Sequence, residues 1–175
     1  TEVKSAYELG FMNGVGANLF LPNGKVTVAE AITMASRVHA SYYGKNIEAA
    51  TSGEWYQMYV DYAIAENIIE VNQFDNYDRN IRRSEMASLM AASSGDMAQL
   101  NAVANLPDVP GDAEFYDDVV KLYNAGILTG NDNYGTFAPE SNLLRSEISA
   151  MAVRIADSTK RVQKTFEASP VRAYY

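Results

Sequence analysis

The sequence predicts an all-α protein built from three copies of one helix-pair unit. Three observations predict it. Residues recur in register along the chain, apolar side chains fall at helical spacing, and an acidic cap opens each second helix. Gly10 aligns with Gly126 and Gly14 with Gly130 at an offset of 116. After one extra residue, at an offset of 117, Phe20 matches Phe137, Pro22 matches Pro139, Glu30 matches Glu147 and Arg37 matches Arg154. A weaker copy lies between them. Asn67 and Val71 stand at its glycine positions, Phe74 keeps the aromatic, and Arg83-Ser84-Glu85 repeats Arg145-Ser146-Glu147. Repetition at such a period marks stacked units that bury their apolar faces only against one another. The copies fall at 1–47, 48–104 and 105–164, with a tail at 165–175.

The third copy states the grammar most fully. Pro107 to Asp112 is turn-rich. Tyr116, Val119, Val120, Tyr123 and Ile127 then recur at helical spacing. Gly126 and Gly130 end that helix, because glycine accepts positive φ. A loop anchored by Phe137 and Pro139 leads to a second helix with Ile148, Met151, Ala152 and Ile155 on one face. In the first copy that helix opens on Thr27-Val28-Ala29-Glu30, a capping box. The other copies keep the Glu but place Arg82 and Leu144 at the Thr position, which leaves the acid near the helix dipole and removes the hydroxyl.

Composition narrows the function classes. The net charge is −8, from 22 acidic and 14 basic residues, which disfavours nucleic acid. There is no cysteine, hence no disulfide, thiolate metal site or Cys nucleophile. No apolar run is long enough to insert in a membrane. Thr1, rather than Met, opens the chain, which reads as a mature or excised fragment. His39 is the single histidine and reads as a packed or solvated side chain. Asn131 to Gly135 fails the spacing of a calcium loop, and the acids from Asp112 to Asp118 suit a helix N-terminus. No metal, cofactor or catalytic residue is expected.

The third copy carries Ala125-Gly126-Ile127-Leu128-Thr129-Gly130, Gly135-Thr136-Phe137-Ala138-Pro139 and Arg145-Ser146-Glu147. This pattern resembles the S-layer homology domain. The resemblance implies a pseudo-threefold, mainly helical spindle with a central bundle and three loop-rich prongs. It also implies a non-catalytic, extracellular anchor on the bacterial cell wall or S-layer. The partner would be secondary cell-wall polysaccharide attached to peptidoglycan, of the pyruvylated N-acetylmannosamine type, held in grooves between prongs. Carried over by position, the groove residues are Arg83, Arg145, Trp55, Phe115, Gly14, Gly130 and Gly135. The residue types suit that ligand. Arginine forks a pyruvyl carboxylate, an aromatic face takes sugar C–H groups, and glycine lets backbone N–H groups approach.

The departures weigh on function. Val28 stands where the motif has arginine in the first copy, so at most two grooves keep it. Arg83 and Arg145 also have a plainer reading, as partners of nearby carboxylates. Trp55 has one too, as ordinary packing. The alternative function is a structural, lattice-forming or protein-interaction module that self-associates.

Overall fold

We describe the fold from a computed structural model, which covers residues 2–14, 20–50, 52–103 and 105–168. Among these residues there are six α-helices and no strand, so the protein is all-α. The helices are α1 (Glu2–Glu8), α2 (Val28–Tyr43), α3 (Gln57–Ala65), α4 (Arg83–Ser93), α5 (Tyr116–Asn124) and α6 (Arg145–Ala156). A short 3-10 turn, Ser158–Lys160, follows.

Each second helix opens as its sequence foretells. In α2 the Thr27 N–H donates to Glu30 at 2.9 Å, and the Glu30 N–H donates to the Thr27 hydroxyl at 3.3 Å. In α4 and α6 only the acidic half survives. The Arg82 N–H donates to Glu85 at 3.0 Å and the Leu144 N–H to Glu147 at 2.8 Å, since neither side chain offers an acceptor. The first helices end on left-handed residues at one register position: Gly10 at φ 73°, Asn67 at φ 58° and Gly126 at φ 75°. Asparagine adopts this region more readily than other non-glycine residues, so the second unit keeps the turn without the glycine. Ile127 lies past the end of α5, buried in the turn.

Packing runs between units. The first helix of each unit lies on the second helix of the unit before it: α3 on α2, α5 on α4, and α1 on α6. The short segments ahead of α2, α4 and α6 meet in the same cyclic way. Lys25 bridges to Leu144, Thr27 to Asn80 and Arg82 to Asn142. The backbone N–H of Val28 donates to Arg79 O, that of Arg83 to Ser141 O and that of Arg145 to Gly24 O, each at 2.9 Å. Val26, Ile81 and Leu143, one from each segment, are fully buried. The units therefore close a ring, with α1 completing it against α6.

The end of the third copy and the first residues of the tail fold back on the third unit. Val162 N–H donates to Gly126 O at 2.9 Å, Lys164 Nζ reaches Thr129 O at 2.8 Å, and Phe166 stands edge-on to Tyr123 at 5.5 Å. Residues beyond 168 lie outside the described part of the chain.

Candidate functional site: the grooves between helix pairs

Two arginines clamp neighbouring units together. Arg145, at the start of α6, donates from Nε to Phe20 O at 2.9 Å, from one terminal nitrogen to Glu30 at 3.0 Å and from the other to Asn13 O at 2.7 Å. Its guanidinium lies 5.0 Å from the Phe20 ring centroid. Arg83, at the start of α4, repeats this one step round the ring. It donates to Phe137 O at 2.7 Å and to Glu147 at 2.5 Å, and lies over the Phe137 ring at 5.3 Å. Both side chains are buried, 5 % and 7 % exposed. Each arginine ties its own helix to the cap glutamate of the next unit, so one carboxylate both caps a helix and receives a neighbour's cation.

The third junction is built differently. Val28 holds the arginine position and is buried. Arg79 supplies the missing cation from the second unit's own loop. It grips Glu85 with both terminal nitrogens, at 2.9 and 2.7 Å, and lies over the Phe74 ring at 5.7 Å. Arg82 adds a further contact to Glu85 at 2.9 Å. Burial alone would raise the Glu85 carboxyl. Hydrogen bonds from Arg79 and Arg82 outweigh it and hold the group down at about 2.

Between the helix pairs lie clefts. The cleft of α2 and α3, about 340 Å³, is walled by Arg145, Gly14, Trp55, Glu30, Arg37 and Tyr59, among others. Trp55 is 59 % exposed there, braced edge-on by Tyr56 at 5.5 Å. The cleft of α6 and α1, about 270 Å³, is walled by Arg83, Gly130, Glu147, Arg154 and Glu2. The junction of α4 and α5 has Val28 and Ala92 at the two arginine positions. Lys121 there is spent on the carbonyls of Ala91 and Ser94, at 2.9 and 3.1 Å near the end of α4.

The residues expected from the sequence thus divide. Arg145, Gly14 and Trp55 share one cleft, and Arg83 and Gly130 share another. Phe115 packs against the core at the start of α5. Gly135 is buried under Phe166. Gly130, at φ 68°, lets the backbone touch Gly135: a Cβ there would sit 2.7 Å from the Gly135 Cα. Trp55 is exposed in a cleft rather than packed in a core. His39 is packed, its Nδ1 hydrogen-bonded to the Tyr62 hydroxyl at 2.9 Å, and burial lowers its pKa. Two residues not expected as groove residues are Arg37 and Arg154. Their alignment in the first and third copies was the available signal.

Among the described residues no group of His, Asp or Glu is arranged to hold a metal ion, and no helix is long and apolar enough to cross a membrane. The fold and clefts define a helical repeat protein closed into a ring, with arginine-walled grooves at two of its three junctions. A model of the S-layer homology domain matches residues 1–32 and 105–148, so over these two segments the chain is similar to that family. The intervening α3 and α4 lie outside the match. S-layer homology domains are non-catalytic modules that bind cell-wall polymers and anchor proteins at the bacterial cell surface. No curated protein matches the chain.

Proposed function

We propose that this module anchors its protein by binding secondary cell-wall polysaccharide, of the pyruvylated N-acetylmannosamine type, in the grooves between helix pairs. The observation that carries this reading is the cleft of α2 and α3. It brings two arginines, a glycine-bearing loop and the exposed face of Trp55 to one place. Those are the groups an anionic sugar requires: a forked cation for the carboxylate and a flat apolar face for the ring. The cleft of α6 and α1 supplies arginines without an exposed tryptophan, and the α4–α5 junction supplies neither. The module therefore reads as an anchor with unequal grooves, extracellular and seated on the wall. Co-sedimentation with purified sacculi tests it. Binding to sacculi that carry their secondary polymer, lost when the polymer is stripped, is the expected result. Equal binding to stripped sacculi, or none to either, refutes the reading.

A further inference from the structure

Resting on that reading, we propose that Arg37 is the residue that receives the ligand's carboxylate, and that the α2–α3 cleft is the groove selective for anionic saccharide. The argument starts from which cations are free to act. Arg145 is the arginine expected to do so, but all three of its nitrogens already donate, to Phe20 O, Glu30 and Asn13 O. It is 5 % exposed. A guanidinium so committed shapes the wall and lends its charge, without offering a fork to a guest.

Arg37 is placed otherwise. It stands two helical turns along α2 from Glu30, on the same cleft, and is half-buried. One terminal nitrogen donates to the Tyr59 hydroxyl at 2.8 Å, and the other makes a long 3.5 Å contact with Phe11 O. Among the described residues no carboxylate pairs with it. Tyr59 is a neutral partner, so the positive charge of Arg37 is held in place and left uncompensated. Trp55 stands on the same cleft, as a platform for the sugar ring.

The equivalent groove supplies the contrast. Arg154 occupies the position of Arg37 and likewise reaches the carbonyl that follows its unit's first-helix glycine, Ile127 O at 2.8 Å. At the register position of Tyr59, the first unit has Glu2. Its carboxylate takes Nε and a terminal nitrogen of Arg154, at 3.2 and 2.9 Å. This internal carboxylate sits where a guest's would. The α6–α1 cleft then balances two arginines against Glu2 and Glu147, whereas the α2–α3 cleft sets two arginines against Glu30 alone. One exchange, Tyr59 for Glu2, leaves one groove net positive and the other neutral. At the third junction the same positions hold Ala92 and Asp118, which offer no cation.

The test uses calorimetry on the whole chain with two probes, the methyl glycoside of N-acetylmannosamine and that of its pyruvyl ketal. The wild type is expected to prefer the ketal by about tenfold or more, the worth of a charge-assisted hydrogen bond. Arg37→Gln should erase that preference, and Lys160→Gln, which removes an exposed cation outside both clefts, should leave it intact. Trp55→Ala, at an exposed site, should weaken both probes together and keep their ratio. The proposal is overturned if Arg37→Gln retains the preference, if Lys160→Gln abolishes it, or if the wild type binds both probes equally. A wild type that binds neither probe overturns the groove reading as a whole, an outcome distinct from these.

Discussion

Replacing Arg145 by alanine tests whether the expected binding arginine is first a structural clamp. The change strands the carbonyls of Phe20 and Asn13, removes the cation over the Phe20 ring, and leaves Glu30 without its partner from the third unit. Breaking a buried ion pair by removing one member costs about 3–5 kcal/mol. Glu30 is 32 % exposed at its side chain and still accepts from the Thr27 N–H, so the cost falls at the lower end, about 3 kcal/mol. In a domain of this size that lowers the melting temperature by roughly 6–12 °C. Thermal denaturation followed by circular dichroism, without ligand, measures it. A double-mutant cycle with Glu30→Ala isolates the pair, with an expected coupling of about 1–3 kcal/mol. A melt within about 2 °C of wild type, or strictly additive single changes, would refute the clamp.

Two glycines with the same backbone sign should respond differently to alanine. Gly44→Ala places a Cβ in open space at φ 63° and costs about 1 kcal/mol by chemical denaturation. Gly130→Ala adds a backbone clash with Gly135 and should cost at least about 2 kcal/mol more; equal losses would contradict the close approach. Glu85 governs an acid limb. Its folded pKa, about 2, lies below its ordinary 4.5, so its stabilisation is complete above about pH 4.5 and fades as pH falls toward 2. Arg79→Gln raises that folded pKa and should move acid unfolding to higher pH, and an unmoved midpoint would count against Arg79 as the substitute clamp. Asn67→Gly should leave stability within about 0.5 kcal/mol, whereas Asn67→Val forces a β-branched residue to φ 58° and should cost more than about 1 kcal/mol.

Much of this was legible because helix starts and turns are local. The cap glutamates and the turn at Gly126 announce themselves within a few residues and formed as expected, whereas Ile127, expected on the helical face, and Gly130, expected at the helix end, lie beyond α5 in the turn and loop that follow. What joins the units does not. Arg145 meets Glu30 and Arg83 meets Glu147 across long stretches of chain, and nothing local to either arginine names its partner. The loss at Val28 reads as a missing arginine, yet the cation returns at Arg79, from another register position, over the same kind of ring. The difference between Arg37 and Arg154 was equally hidden. The two align perfectly, and whether each meets a hydroxyl or a carboxylate is decided by Tyr59 and Glu2, contributed by helices of other units.

The docking of α1 on α6 has a consequence for how the module comes apart. An open stack of repeats has two end units that fray first and need polar caps, so its stability is close to a sum of local terms. A ring of three has no end unit. Losing any one helix pair opens two junctions together and exposes the ring segments of Val26, Ile81 and Leu143 at once. The protein should therefore unfold in a single all-or-none transition with coincident spectroscopic probes. The second pair, which lies outside the family match, is then as indispensable to the whole as the third.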